Sequence, residues 1–350
     1  MAEKETGNIP MITIKEIAKQ LQMSTTTVSN VIHGKTKEVS PDTIAKVQAF
    51  LDQVGYVPNI SARNLAQNQS KIIGLVLKTQ RERYIDLLSD PFVSDMISGI
   101  EKEIRQAGYF MMIYMSDDIA EIIHQVSTWN VDGLLLFWMM DDDGLRVRER
   151  YKNPIVCIDT YSEMAGERYV NIGLDDEAGG YEATRYLISC GHRKIGFLTE
   201  NIHVGVDMMR FRGYRRALRE AGIEYSDRNF FQLRSEKDEI DRSMERLCDR
   251  AGDYTAVICA SDLFAVIFMG HLHDRGIAVP EDLSVVGFDD NLYGRLHRPA
   301  LTTVHQDPAQ KGILAARTLI SMIRGNEPEE RKIIMKPSLV IRDTVKKING

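Results

Sequence analysis

Ile12-Thr-Ile-Lys-Glu-Ile-Ala-Lys-Gln-Leu-Gln-Met-Ser-Thr-Thr-Thr-Val-Ser-Asn-Val-Ile-His33 is the stretch that decides how the N-terminal part of this 350-residue chain folds. Thr13 is followed three residues later by Glu16, which is the spacing of a capping box at a helix start. Apolar residues then recur at helical spacing, so the pattern predicts a short amphipathic helix. Its apolar face consists of Ile14, Ile17, Ala18 and Leu21.

Two further helices are predicted directly after the first. Ser24 is a good N-cap for the second, and Ser40 followed by Pro41 is typical of the start of the third. Helices this short need tertiary packing to be stable, and each has an apolar stripe that supplies it. The stripes are Val28, Val31 and Ile32 in the second helix and Ile44, Val47, Leu51 and Val54 in the third, before Gly55 ends it. The result is a three-helix unit built around a helix-turn-helix.

The outward face of the second helix carries short polar side chains. Hydroxyls, an asparagine amide and threonine methyl groups are suited to base edges in the major groove of DNA. The alternative interpretation is a small helical domain with an ordinary hydroxyl-rich surface. The outward residues are Thr25, Thr26, Thr27, Ser29, Asn30 and His33.

Four separated motifs favour the DNA-binding interpretation. In order, they are Thr13–Lys19, Ser24–Ile32, Val39–Pro41 and Gly55–Asn59. Together they resemble the N-terminal domain of the lactose/galactose repressor (LacI/GalR) family. The resemblance implies a homodimeric transcriptional regulator, a repressor, that binds a near-palindromic double-stranded DNA operator. We expect DNA contacts from Thr13, Ser24, Thr25, Thr26, Thr27, Ser29, Asn30, His33, Tyr56, Asn59, Ala62, Arg63 and Leu65.

Residues 59–70 form a polar connection with one or two turns of possible helix. A helix of that length is unstable alone, so we expect it to become ordered on DNA. The resemblance implies that Leu65 wedges between base pairs from the minor groove, with Ala62 beside it. The alternative is a plain linker with one exposed leucine.

Composition and charge exclude several other classes of protein. The net charge is -6, and residues 1–70 carry seven basic and six acidic residues, so the chain is not a strongly basic nucleic-acid binder. No leader or membrane-length apolar run is found, and we expect a cytoplasmic protein without membrane contact. The four cysteines have no paired spacing and predict reduced, buried thiols. They are Cys157, Cys190, Cys248 and Cys259.

From Lys71 onward, short apolar strands alternate with helices in two series, which predicts two parallel, doubly wound sheets. The fold class expected is therefore α/β, a three-helix helix-turn-helix domain followed by a bilobed effector domain, and the family resemblance implies that this domain is like the periplasmic binding proteins. The expected divisions are a tail at 1–11, the DNA-binding domain at 12–58, the hinge at 59–70, the effector and dimerisation domain at 71–345, and a tail at 346–350. The lobes are expected to cross near 160–170, 303–306 and 333–337.

Later segments also resemble the family's effector-binding core. They are Gly191–Gly196, Arg210–Gly213, Val286–Asp290 and Leu301–Asp307. Carrying positions over by motif, we expect a small-molecule effector, a carbohydrate, to lie between the lobes. Arg210 and Asp289 would bond its hydroxyls, unless they form a structural ion pair, and Phe92 and Trp138 would offer ring faces, unless they are core aromatics. The expected effector-binding residues are Phe92, Trp138, Asp159, Arg210, Ser261, Asp289 and Gln306.

Other charged residues permit further hypotheses. Lys78 with Arg210 would suit an acidic sugar. Asp141–Asp143 is interpreted as a solvated turn, and His271 and His273 as a helix surface rather than a metal site.

No catalytic or phosphate-binding motif is found, so we predict neither enzyme activity nor a cofactor. One alternative is a corepressor-dependent regulator with a non-sugar ligand. A sugar-processing enzyme with a helical appendage is disfavoured because no catalytic motif is found, and a periplasmic-type binding protein would require a removed leader and would not explain the N-terminal motifs.

Overall fold

A computed structural model of the chain describes residues 12–56, 69–79, 86–139, 143–161, 169–200, 205–233 and 237–348. Backbone contacts divide the chain into two compact units, Met1–Gln69 and Ser70–Gly350. Each unit is considered by itself below.

The N-terminal unit is the predicted three-helix bundle, with α1 at Ile14–Leu21, α2 at Thr25–Ile32 and α3 at Pro41–Gln53. Thr13 and Glu16 form the predicted capping box, and the Ser24 and Ser40 hydroxyls accept hydrogen bonds from the N–H groups three residues ahead. These caps satisfy amide donors that lack partners within the helix. The core is formed by Ile17, Ala18, Val28, Val31, Val47 and Leu51. Val54, predicted in the α3 stripe, is instead 37% exposed because the helix has ended at Gln53.

Among its described residues, the second unit contains two sheets of six strands, which form its two lobes. The first sheet has the order β11-β5-β4-β3-β1-β2 and is parallel throughout; in the second, β12-β10-β9-β8-β6-β7, only the β10–β12 pair is antiparallel. The strands are β1 Ile72–Lys78, β2 Phe110–Ser116, β3 Gly133–Phe137, β4 Ile155–Ile158, β5 Val170–Leu174, β6 Ile195–Thr199, β7 Phe230–Gln232, β8 Ala256–Cys259, β9 Ser284–Asp289, β10 Thr302–His305, β11 Lys332–Met335 and β12 Ser338–Val340.

Helices cover both faces of each sheet, which confirms the predicted fold class. Alternate residues of β1 enter different cores, since Leu75 packs on one face of the sheet and Val76 on the other. Three short 3₁₀ turns, at Leu87–Ser89, Asp227–Asn229 and Ala251–Asp253, connect elements. The helices are α4 Pro91–Gln106, α5 Ile119–Thr128, α6 Asp143–Arg150, α7 Asp176–Ser189, α8 Gly205–Glu220, α9 Lys237–Asp249, α10 Asp262–Asp274, α11 Leu292–Leu296 and α12 Pro308–Ile323.

The chain passes between the lobes three times. The first crossing was expected near 160–170, but β5 at Val170–Leu174 still pairs with β4 in the first sheet, so the crossing follows Leu174. The next two lie between β10 and α12 and between β11 and β12, close to the predicted positions. Helix α12 packs on the first lobe through Ala315 and Leu319.

The interpretation of Asp141–Asp143 as a solvated turn is wrong for Asp143. That residue begins α6, its side chain is only 12% exposed, and it forms an ion pair with Lys78 at the end of β1. A carboxylate in the first turn is favoured by the helix dipole, which a count of acidic residues does not reveal. Asp141 and Asp142 lie outside the described residues.

Candidate nucleic-acid interface and ligand cleft

Helix α2 presents the short polar side chains that the sequence placed on its outward face. Thr25 and Thr26 are exposed, while Thr27, Ser29, Asn30 and His33 are half-buried. Ser24 and Thr27 are engaged locally, because their hydroxyls lie 2.8 Å apart and the Ser24 hydroxyl also accepts from the Thr27 N–H. Within residues 12–56, no side-chain hydrogen bond involves Thr25, Thr26, Ser29 or Asn30. Their donors and acceptors are therefore available to a ligand.

Two other predicted DNA contacts have structural duties in this unit. The Thr13 hydroxyl donates to Glu16 at 2.8 Å, and its N–H donates to the same carboxylate at 2.7 Å. These two bonds, the backbone one first, lower the pKa of Glu16. Tyr56 is half-buried against the helical core. The remaining predicted contacts, Asn59, Ala62, Arg63 and Leu65, lie outside the described residues.

A cavity of about 260 Å³ opens between the two lobes. Its walls come from strand ends and helix starts of both sheets, which is where ligands bind in open α/β folds. All seven predicted effector residues line it: Phe92, Trp138 and Asp159 from the first lobe, and Arg210, Ser261, Asp289 and Gln306 from the second and the crossing beside it. The geometry brings them together; their role as ligand contacts stays a prediction.

Three cavity residues have left-handed backbone conformations at strand ends. The φ angles are 58° at Trp138, 52° at Asp159 and 120° at Asp289. Such conformations cost roughly 1–3 kcal/mol each in residues other than glycine and concentrate at functional sites. Their position at the ends of β3, β4 and β9 supports the assignment of this edge as a binding site.

Arg210 is buried, and most of its guanidinium is engaged within the second lobe. Its Nε donates to Asp176 at 2.7 Å, its Nη1 donates to the carbonyl of Ala260, and its Nη2 lies 3.9 Å from Asp289. The guanidinium also lies 3.6 Å from the centre of the Phe288 ring. Burial opposes the charge, but Asp176 and Asp289 raise the pKa of Arg210 overall. The sequence identified Arg210 and missed Asp176, the carboxylate closest to it.

Among the described residues, only one oxygen of the Asp289 carboxylate accepts a hydrogen bond. Its Oδ1 accepts from Gln306 Nε2 at 2.6 Å, whereas no hydrogen bond to its Oδ2 is formed by the part of the chain that the structure describes. Burial raises the pKa of Asp289, despite the opposing effect of Arg210. Ser261 caps α10 by accepting from the Phe264 N–H at 3.3 Å, which leaves its own hydroxyl hydrogen available. Asp289 and Ser261 are therefore suited to hydroxyl groups of a ligand.

Asp159 is held by a lysine that the sequence interpretation missed. Lys311 Nζ donates to both oxygens of Asp159 at 2.8 Å and to Gln306 Oε1 at 3.0 Å. Lys311 is 1% exposed. The only sequence signal was its place on the buried stripe of α12, in line with Ala315 and Leu319. Burial raises the pKa of Asp159, and Lys311 opposes that rise.

The cavity also has aromatic walls. Phe92 is 8% exposed at the start of α4, and the Trp138 ring stacks on Phe137 with 4.4 Å between ring centres. Phe264 lines the second-lobe side. These rings provide apolar surfaces of the kind that pack against the C–H faces of ring-shaped ligands.

Other predicted features are placed as follows. His273 is exposed and His271 half-buried on α10, with His271 Nε2 3.3 Å from Asp241, and no metal-binding group of three or more ligands occurs among the described residues. The four cysteines are buried and free. Over the same ranges, every helix is too short or too polar to span a bilayer.

Both parts of the chain match known families. Residues 13–59 match the model for bacterial regulatory proteins of the lacI family, and residues 184–345 match the periplasmic binding protein-like domain. The HTH-type transcriptional repressor PurR of Vibrio vulnificus (strain CMCP6) is 34% identical over 349 residues, which cover 97% of this chain and all of the relative.

Solved structures share the whole architecture. A complex of the transcriptional regulator CelR with cellobiose is 28% identical with a TM-score of 0.70, covering 95% of this chain and 99% of the other. The Lac repressor dimer bound to operator and the anti-inducer ONPF is 23% identical with a TM-score of 0.80, covering 96% and 99%, which shows a common fold.

Proposed function

The chain belongs to the lacI family of bacterial regulatory proteins, as a DNA-binding transcriptional repressor and not an enzyme, and we propose that an uncharged carbohydrate bound between its lobes controls its affinity for operator DNA. The single observation that carries the proposal is that all seven predicted effector residues line one cavity between the lobes. A ligand that touches both walls stabilises one angle between them, and that shift in population is the signal.

The charges of the cavity favour a neutral ligand over the acidic sugar considered from Lys78 and Arg210. Lys78 is paired with Asp143, and Arg210 is paired with Asp176. An anionic ligand would have to compete with both carboxylates for these cations. Hydroxyl donors, in contrast, would find the open oxygen of Asp289. The CelR neighbour, whose structure contains cellobiose, supports a carbohydrate.

Helix α2 is the recognition helix in this proposal. Its unpaired side chains would read base edges in the major groove, with Asn30 suited to adenine. Leu65, with Ala62 beside it, would enter the minor groove from the hinge, as the family resemblance implies. The operator would be near-palindromic, because two copies related by a twofold axis read two half-sites.

Exposed apolar surfaces on the large unit support a homodimer. Phe110, Ile113 and Met115 are 62%, 38% and 44% exposed on β2, which is the edge strand of the first sheet. Leu292 and Leu296 of α11 are 54% and 66% exposed on the second lobe. Ile113 and Met115 lie on one face of β2 and Phe110 on the other, and groups of exposed apolar side chains mark interaction sites. We assign both surfaces to a second copy of the chain, in keeping with the Lac repressor dimer, and place the protein in the cytoplasm, where DNA is.

A gel-shift assay on the DNA upstream of the protein's own gene tests the regulatory proposal. We expect a specific shift over several salt concentrations that a neutral sugar weakens. A shift that strengthens with ligand would identify a corepressor-dependent regulator, and no specific shift under any condition would contradict the proposal.

A thermal-melting screen over neutral sugars, sugar acids and sugar phosphates tests the chemical class of the effector. Ligand binding to the native state raises the melting temperature. We expect only uncharged sugars to do so, and a rise with an acidic sugar alone would contradict the charge argument.

A further inference from the structure

We propose that Lys311 is a positioning residue that holds the two lobes at one angle by joining the first lobe to the crossing between β10 and α12. The proposal rests on the cavity being the effector site, because its consequence is that the ligand meets a preset cleft. Lys311 does not line the cavity itself; both of its partners, Asp159 and Gln306, do.

The bonds of Lys311 begin a chain of side chains that leads from one lobe to the other. Asp159 ends β4 in the first lobe, and Lys311 lies in the first turn of α12, which packs on that lobe. Gln306 follows β10 in the crossing, and it donates to Asp289 of the second lobe at 2.6 Å. The ammonium therefore fixes the crossing segment against the first lobe, while Gln306 fixes it against the second.

A second link closes this chain into a ring. Asp289 lies 3.9 Å from Arg210, which donates to Asp176 at the start of α7, just after the first crossing. Asp176 accepts a hydrogen bond from the hydroxyl of Tyr161, which follows β4 only two residues after Asp159. Two of the three crossings are thus held by one polar network, which the backbone between Asp159 and Tyr161 closes and which we call the interlobe ring. It consists of Asp159, Tyr161, Asp176, Arg210, Asp289, Gln306 and Lys311.

Stability alone does not account for a lysine at this position. Lys311 lies on the apolar stripe of α12, where a methionine would pack without the desolvation cost of an ammonium. Buried ion pairs are often no more stabilising than apolar groups of the same volume, but they define one geometry because each lost bond leaves a buried charge. A defined lobe angle is the property that an effector-controlled cleft needs.

Distances between spin labels on the two lobes test the proposal without DNA or effector. Labels attached at Lys102→Cys on α4 and Glu245→Cys on α9 report the lobe angle, and both positions are exposed whereas all four native cysteines are buried. The labelled chain is diluted into excess unlabelled chain, so that only distances within one copy are measured. We expect one narrow distance in the parent protein and a broadened or shifted distribution in Lys311→Met.

Two further variants separate an effect on the lobe angle from an effect on folding. Lys311→Met with Asp159→Asn removes both charges together, and Gln306→Met cuts the same link without leaving an unpaired charge; both are expected to lose the narrow distance. The control is Arg317→Met on the same helix, which breaks an exposed pair with Glu103 inside the first lobe and should keep it. A parent-like distance distribution in the folded Lys311 variants overturns the proposal, whether or not the distribution broadens in Gln306→Met. Because the readout needs no ligand, it fails independently of the gene-regulatory function.

Discussion

Helix α2 and the cleft are both polar, but their side chains are held in opposite ways. On α2, Thr25, Thr26 and Asn30 have no side-chain hydrogen-bond partner among residues 12–56, and they are exposed or half-buried. In and directly behind the cleft wall, Arg210 and Lys311 are buried and bonded to carboxylates of distant segments. The polar groups of α2 are therefore available to another molecule, whereas most polar groups around the cleft are already bonded to one another.

Substitutions of the buried charged residues around the cleft should therefore lower the free energy of unfolding. Lys311→Met leaves the Asp159 carboxylate buried without its cation, and breaking a buried pair costs about 3–5 kcal/mol. Arg317→Met breaks an exposed pair with Glu103, for which about 0–1 kcal/mol is expected. Urea unfolding of both variants measures the difference. Equal losses would mean that burial does not separate the two pairs.

A buried carboxyl group of the second lobe also predicts that the free energy of unfolding depends on pH. Burial is the main cause that raises the pKa of Asp262 to about 7, although Thr303 and the Asn291 N–H donate to its carboxylate. Since the unfolded value is about 4, the folded state holds the proton more tightly, and the free energy of unfolding should fall between about pH 4 and pH 7 by up to about 4 kcal/mol.

Asp262→Asn isolates this contribution, because an amide resembles the protonated carboxyl in shape and hydrogen bonding. The variant and the parent should be similar in stability at low pH, and the variant should be the more stable one above pH 7. Urea unfolding across the pH range measures it. A constant difference between the two proteins would show that Asp262 does not titrate in this range.

On α2, a substitution should weaken DNA binding more than it lowers stability. Asn30→Ala removes an amide that has no side-chain hydrogen bond among residues 12–56, so the melting temperature should hardly change. Loss of one bidentate base contact costs about 1–3 kcal/mol of discrimination, which is roughly 5- to 150-fold in specific affinity. Gel shifts on the upstream DNA and on a scrambled sequence measure the ratio. An unchanged ratio with intact folding would remove Asn30 from the interface.

The same contrast explains what the sequence could predict. Helix starts at Thr13, Ser24 and Ser40 were predictable because a cap and its N–H are three residues apart. The partner of Asp159 was not, because Lys311 is 152 residues away and only the folded chain brings them together. Resemblance located the seven cleft residues, but residue chemistry alone did not reveal which cations are already paired.

The shortest strands were also not predictable from the sequence. Three strands, β7, β11 and β12, contain only three or four residues each. Segments this short show no periodicity, so the sequence does not predict them. β11 and β12 carry the third crossing between the lobes. The expected crossing near 333–337 came from the family resemblance and not from a pattern in these residues.

Ser24, the N-cap of α2, is a residue whose substitution should lower stability, as substitutions around the cleft do. Its hydroxyl accepts from the Thr27 N–H at 2.9 Å, so it is engaged within the unit even though the side chain is exposed. Ser24→Ala should lower the stability of the N-terminal unit by about 1 kcal/mol, whereas Ser24→Asp, which retains an N-cap acceptor, should not. Amide hydrogen exchange of α2 measures the difference. If Ser24→Ala leaves exchange unchanged while weakening DNA binding, the hydroxyl serves the operator and not the cap.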